Sequence, residues 1–368
     1  MKKIIIIALS MLFFYGVIGE PKDSLDIMIG QMIQIGITDF GDASVRDELR
    51  NLIKTGKVGG VILFEKNLQK EDTKAALKKM IEELQKEADI PLFITIDEEG
   101  GYVNRLKPKY GFPKTVSAAY LGAMDDLDST KFYSAQTAQT LNSLGFNVNY
   151  APSVDVAINP DNPVIVKNER SYSKEPKTVI RHAAAYIEGH KPYNVATVLK
   201  HFPGHGSSQV DTHLGVADVS NSWQKKELEP YIALIKTGSV QAIMTAHIIN
   251  QNLDDDLFPA TLSKRIITGL LRKELGYEGV IFSDDMHMAA IIKNYGFKEA
   301  VVLAINAGID CLIFSNNISP DEIISAEALH RHIKTQVLTG TIDANSITQS
   351  YRRLIKLKSA LGLNYLKP

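Results

Sequence analysis

The stretch Lys200-His201-Phe202-Pro203-Gly204-His205-Gly206, followed by Asp211-Thr212-His213, is the densest group of proton-handling side chains in the sequence. Three of the nine histidines fall within thirteen residues. One proline and two glycines in so short a span predict an irregular loop rather than a helix. An aspartate two residues from a histidine can accept one ring N–H, fix the tautomer and leave the other nitrogen to handle protons. The same stretch offers His201, His205, Asp211 and His213 as metal ligands, but it lacks a tight His-x-His or Glu-x-x-His pair.

A second constellation is Ile281-Phe282-Ser283-Asp284-Asp285-Met286. A carboxylate at the end of an apolar run costs free energy unless it is paired or used. Such a group can attack the anomeric carbon of a sugar and form a glycosyl–enzyme intermediate. Aspartate also suits a helix N-cap, and two adjacent aspartates allow both: Asp284 for chemistry, Asp285 for support. The third constellation, Ile96-Asp97-Glu98-Glu99-Gly100-Gly101 with Arg105, combines acids and a cation that suit sugar hydroxyls, which donate and accept together. By itself it reads equally well as a charged turn.

These residues need a frame that brings them together. Short apolar, β-branched runs recur along the chain: Met28–Ile37, Gly59–Phe64, Leu92–Ile96, Asn147–Val156, Ala196–Leu199, Gln241–Thr245, Gly279–Phe282 and Asp310–Phe314. Most are apolar on both faces, as parallel strands covered on both sides should be. Between them lie stretches long enough for helical crossovers, including Lys70–Glu87, Thr130–Leu144, Lys177–Gly189, Trp223–Thr237 and Leu262–Leu275. Eight strand–helix alternations predict one (β/α)8 barrel spanning 22–362. An open doubly wound sheet is the alternative. It usually carries a glycine-rich phosphate loop after its first strand, and Gly36-Ile37-Thr38-Asp39 does not resemble one. In a barrel, the polar residues that follow the runs converge on one rim, where barrel enzymes do their chemistry. Those residues include Glu65, Asp97, Asp155, Lys200, His201, His247, Asp284 and Ser315.

On these signatures the chain resembles glycoside hydrolase family 3, in particular its β-N-acetylglucosaminidase branch, over roughly residues 29–361. The match includes Asn149-Tyr150-Ala151-Pro152 with Asp155, Asn162-Pro163-Val164-Ile165 with Arg170-Ser171-Tyr172, and the long Lys200–Gly206 signature with Asp211 and His213. The resemblance implies a retaining exo-β-N-acetylglucosaminidase with Asp284 as nucleophile and His213 as general acid/base, polarised by Asp211. It implies that Asp97, Arg105, Arg170, Lys200 and His201 hold the sugar and that His247 borders the site, with no metal or organic cofactor. Three departures stand out. Tyr102 replaces an arginine after the two glycines, Tyr172 replaces a phenylalanine, and a glycine is missing from Val166-Lys167-Asn168-Glu169. They bear on the leaving-group side and on substrate length. The other readings are a β-glucosidase or phosphorylase of the same family, a metal-dependent barrel hydrolase, and a non-catalytic exported sugar-binding protein.

Composition narrows the partners. The 368 residues are 45% hydrophobic and 23% charged, and the net charge of −1 points to neither nucleic acid nor an anionic membrane. The single cysteine, Cys311, excludes an internal disulfide and sits in an apolar run that predicts an inert thiol. Lys2 and Lys3 precede the apolar run Ile4–Ile18, which reads as an export signal over 1–19, cut near Gly19. The competing reading is an uncleaved anchor, but the run is short of the ~20 residues that a membrane span needs. The expectation is therefore a periplasmic or extracellular protein with no membrane span after cleavage. The carbohydrate would be a peptidoglycan fragment or a chitin-type oligosaccharide.

Overall fold

The computed structural model describes residues 24–69, 71–212, 215–317 and 323–364. The expected export signal and His213 lie outside the described residues. Eight parallel strands close into a barrel: β1 (Ile33–Gly36), β2 (Gly60–Ile62), β3 (Phe93–Ile96), β4 (Val148–Asn149), β5 (Ala196–Phe202), β7 (Ala242–Thr245), β9 (Val280–Asp285) and β10 (Cys311–Phe314). β10 pairs with β1 and completes the ring. A separate two-stranded pair, β6 (Ala217–Asp218) and β8 (Ile248–Ile249), lies outside it. The barrel reading holds and the open sheet does not.

Each of the eight runs contains a barrel strand, with shifted limits. The run Met28–Ile37 divides: its first part completes helix α1 (Leu25–Gln31), capped where Ser24 Oγ accepts the Ile27 N–H, and only Ile33–Gly36 pairs. A short apolar run cannot by its pattern separate helix from strand. Asn147–Val156 pairs over two residues, with one further bridge between Ser153 and Lys200. Pro152, which has no N–H to donate, interrupts it. β5 and β9 run longer than expected, so Lys200, His201, Asp284 and Asp285 belong to strands rather than to loops.

Helices α3 (Thr73–Glu87), α5 (Leu127–Leu144) and α6 (Pro176–His190) fall on the predicted crossovers. The predicted helix Leu262–Leu275 instead winds as a π-helix over Arg265–Glu274, with the Leu275 N–H bonded to Leu270 O.

The barrel interior is filled, not open. Phe93 and Tyr150 meet Phe282 edge-on, with ring centroids 6.1 and 5.5 Å away. Tyr150 donates to Gln34, which donates to Thr95. Cys311 is buried, and that burial pushes its thiol up, consistent with the expected inert role. α1 packs against α9 (Ala326–Leu338) and α10 (Ala344–Ala360). Lys358 of α10 is fully buried; its Nζ donates to Gln31 Oε1 (2.6 Å) and Gly59 O (2.9 Å) and sits 4.7 Å from the Phe93 ring centre. Among the described residues, no helix is long and apolar enough to cross a membrane.

Lys358 has only neutral acceptors, and burial pushes its ammonium down to about 7. Above that pH the folded state sheds the proton while the unfolded chain keeps it up to about 10.4, so stability should rise with pH across this window. The stability of the native protein relative to Lys358→Met should therefore increase from pH 7 to pH 10, with a slope approaching about 1.4 kcal/mol per pH unit. Urea unfolding at several pH values reads this slope, and a pH-independent difference between the two proteins would refute it.

Candidate active site

Side chains on a regular strand alternate between the two faces of the sheet. On β3, Phe93 and Thr95 point into the barrel, so Asp97, two residues on, emerges at the rim into the cleft. β5 and β9 break this rule at the rim. In β5, Leu199 and Phe202 oppose Ile243 and Thr245, so one extra residue bulges out of β5. In β9, Phe282 and Asp285 oppose Cys311 and Ile313, again with one residue extra. A bulge re-aims the side chains beside it. Consecutive residues, Lys200 with His201 and Asp284 with Asp285, consequently line the same cleft.

The three acids after β3 do three different jobs. Asp97 faces the cleft; its Oδ1 accepts from Lys200 Nζ at 2.7 Å, and Arg105 Nη2 lies 3.9 Å from its Oδ2. Glu98 braces the turn that carries Arg105, accepting the N–H groups of Arg105 (2.8 Å) and Leu106 (3.0 Å) and the Asn104 amide (2.6 Å). Glu99 is buried between two cations, 2.8 Å from Arg170 Nη2 and 2.6 Å from Lys200 Nζ. Burial opposes its charge, but Arg170 and Lys200 outweigh that cost and hold the carboxyl down at about 2.

Arg170 also donates from Nη2 to His201 Nε2 (3.0 Å). Arginine has no acceptor to offer, so the His201 ring proton sits on Nδ1 and is donated to Asp155 Oδ2 (2.6 Å). Asp155 is fully buried and accepts the backbone N–H groups of His201 (3.2 Å) and His205 (2.8 Å) as well. Burial works against its charge, but His201 and His205 outweigh it and hold the carboxyl well below the usual range.

Asp155 thus ties down the first half of the histidine loop. The loop then passes so close to the preceding strand region that a Cβ on Gly206 would lie 1.7 Å from Val156 O. Only glycine fits there. The His205 ring is buried, with Nε2 3.4 Å from Thr212 Oγ1, and burial pushes it down to about 4. Beyond it, Asp211 and Thr212 return to line the cleft.

On the opposite wall, Asp284 Oδ1 accepts the N–H of Asp285 (2.8 Å). The Asp285 carboxylate, also at the cleft, is bound to the Ser315 hydroxyl and accepts the N–H groups of Ser315 (3.0 Å) and His287 (3.1 Å). The Asp285 carboxylate is thus committed to hydrogen bonds within the protein, as a supporting residue would be. His247 does not line the cleft as expected for a residue touching the sugar. Its ring is fully buried behind β9, with Nδ1 2.8 Å from Thr261 Oγ1 and Nε2 2.9 Å from the carbonyl oxygen of Asp285. It supports the strand end through these two bonds.

The cleft encloses about 350 Å³ and brings together Asp97, Arg105, Arg170, Lys200, His201, Asp211 and Asp284. Arg105 Nε is buried without an acceptor among the described residues. The metal reading loses His201, because one ring nitrogen faces Asp155 and the other faces the Arg170 guanidinium. Sequence reasoning places Asp155 at the rim and Glu99 in an acidic motif but gives neither a specific role. Both stand in the quoted motifs, but nothing in their spacing shows which acid will meet which buried cation.

Removing one partner of a buried ion pair leaves the others uncompensated. Glu99→Gln should therefore lower the unfolding free energy by about 3 kcal/mol, measured by urea denaturation at neutral pH. A loss under about 1 kcal/mol, the scale of an exposed pair, would show that Glu99 does not hold these cations together.

Comparison with known proteins agrees with this geometry. The family model described as "Glycosyl hydrolase family 3 N terminal domain" matches residues 24–357. The chain is 35% identical over 334 residues to "Beta-hexosaminidase A" of Pseudoalteromonas piscicida, covering 85% of this chain and 55% of that one. It is 34% identical to a "Beta-hexosaminidase" of Tolumonas auensis, covering 73% of this chain and 79% of the other. Among solved structures, a glycoside hydrolase family 3 beta-N-acetylglucosaminidase from Paenibacillus sp. str. FPU-7 superposes with a TM-score of 0.84 at 35% identity. That match covers 92% of this chain but 63% of the other. This chain therefore spans 55% of the first of these relatives and 63% of the solved structure, less than two thirds of each. The match over nearly all described residues, on a closed barrel with its acids and cations at one rim, shows that the chain belongs to glycosyl hydrolase family 3.

Proposed function

We propose that the protein removes terminal β-linked N-acetylglucosamine with net retention, using Asp284 as nucleophile and His213, polarised by Asp211, as general acid/base. The observation that carries this reading is the placement of Asp284 in the cleft with its neighbour Asp285 committed to structure. The relatives named as hexosaminidases and the solved beta-N-acetylglucosaminidase support the sugar.

In the first step Asp284 attacks C1 while protonated His213 gives its proton to the glycosidic oxygen. In the second, neutral His213 takes a proton from water, which attacks C1 from the face the leaving group vacated while the C1–O bond to Asp284 breaks and frees its carboxylate. The other two histidines of the loop are poorly placed for this work. His201 has both nitrogens engaged, and His205 is buried and held down at about 4. Asp97, Lys200, Arg170 and Arg105 supply the charged donors and acceptors that would grip the hydroxyls of the terminal sugar. Export over 1–19 would place this chemistry outside the cytoplasm, on peptidoglycan fragments or chitin-type oligosaccharides.

The first test compares an aryl β-N-acetylglucosaminide with the matching β-glucoside. Release from the first alone supports the reading; release from the glucoside alone overturns the sugar assignment. Asp284→Asn should cut kcat by about a thousandfold or more while thermal unfolding stays near that of the parent. Near-normal turnover would remove Asp284 from the mechanism. His213→Ala should slow cleavage of sugar leaving groups by about 10²–10⁴-fold and slow activated aryl leaving groups far less. Equal losses on both would argue against proton donation to the leaving group.

A further inference from the structure

Beside the cleft lies an open groove of about 520 Å³ lined by Tyr102, Tyr120 and Tyr133 with Lys114, Ser117 and Glu169. Tyr102 lines both the cleft and the groove. Tyr102 is 67% exposed and Tyr120 51%. Phe132, 62% exposed, meets Tyr133 edge-on at 5.4 Å. Single exposed aromatics need no explanation, but three tyrosines lining one groove beside a ligand cleft mark a binding surface.

We propose that this groove binds neutral sugar residues of an oligosaccharide on the leaving-group side of the bond that is cut. The proposal rests on the exo-acting reading above. With the terminal sugar held among Asp97, Lys200 and Asp284, Tyr102, which lines both spaces, gives the remainder of the chain a path from the cleft into the groove.

Two chain segments join the cleft to the groove. The turn after Glu99 is closed by the N–H groups of Glu99 and Gly100, which donate to Val103 O at 3.0 and 3.1 Å. Gly101 has φ +61° and lies so close to Ser117 that a Cβ would meet its Cβ at 2.5 Å, which seats the turn carrying Tyr102 on the start of α4 (Ala118–Met124). α4 in turn carries Tyr120. The second segment is Asn168-Glu169-Arg170: Asn168 lines the cleft, Glu169 lines the groove and Arg170 belongs to the buried charge cluster. Ser117 donates to Glu169 Oε2 at 2.6 Å, and Ala119 N–H donates to Glu169 O at 3.1 Å.

The chemistry favours an uncharged carbohydrate. Flat tyrosine faces offer apolar area to the C–H face of a pyranose ring and hydroxyls to its rim. Lys114 and Glu169, one of each sign, can meet hydroxyl and acetamido groups without selecting an anion or a cation.

The test is kcat/KM on N-acetylglucosamine β-oligomers of two to five residues, with the parent protein, Tyr120→Ala and Tyr102→Ala. For the parent, kcat/KM should rise from the dimer to the tetramer. Tyr120→Ala should lose about 3–10-fold on the tetramer, mainly in KM, and less than twofold on the dimer. Tyr102→Ala should lose activity at every length, because Tyr102 stands at the mouth itself. A parent profile flat in length, or equal losses for Tyr120→Ala on dimer and tetramer, overturns the groove while leaving the hydrolase reading intact. Failure to release N-acetylglucosamine from any oligomer overturns the hydrolase reading and this proposal with it. A greater gain from an acidic lactyl-bearing leaving sugar than from a neutral one would overturn the neutral-ligand assignment.

Discussion

Everything at the rim depends on keeping Lys200 charged while it is almost wholly buried. An ammonium taken out of water needs compensation by opposite charge and hydrogen bonds at close range. Asp97 and Glu99 provide it at 2.7 and 2.6 Å. Glu99 then needs a second cation, which is Arg170, and Arg170 leads through His201 to Asp155. Three cations, counting Arg105, face three carboxylates. None of these residues is adjacent to its partner in sequence, so the cluster ties together strand ends that the barrel alone would only bring near one another.

The same cluster organises the parts that are not strands. Asp155 accepts two backbone N–H groups from the start of the histidine loop, so the path of that loop follows from a buried carboxylate on the irregular segment after β4. The close approach of Gly206 to Val156 O holds the loop against the rim from the other side. On the far wall, the bulge in β9 brings both aspartates to the cleft, and the bonds from Ser315 engage the Asp285 carboxylate. His247 backs this wall from inside the protein. One wall is thus organised by ion pairs and the other by hydrogen bonds to a single carboxylate.

Much of the barrel was legible because parallel strands covered on both faces must be apolar throughout. That pattern located all eight strands, and the polar residues after them marked the rim. The limits of the strands were less legible. Pro152 shortened one pairing, Ser24 turned the start of another run into a helix, and local bulges extended two strands into the motifs. The site was legible in its residue types and not in their assignments. Asp97, Glu98 and Glu99 are three consecutive acids, yet one faces the cleft, one braces a turn and one neutralises two cations. His247 follows a strand as regularly as His201 does, but its ring lies behind β9.

The sequence by itself determined the barrel, the rim and the family, because hydrophobic period, strand-end polarity and the Lys200–His213 motif are local properties of the chain. Tertiary structure alone decided which of those polar groups face the cleft. Each choice turns on a partner far away in sequence: Glu99 on Arg170, His201 on Asp155, Asp285 on Ser315, and the Tyr102 turn on Ser117. Burial makes such pairings compulsory, since an unpaired charge or donor cannot be left away from water. Only the folded chain determines which groups are buried together.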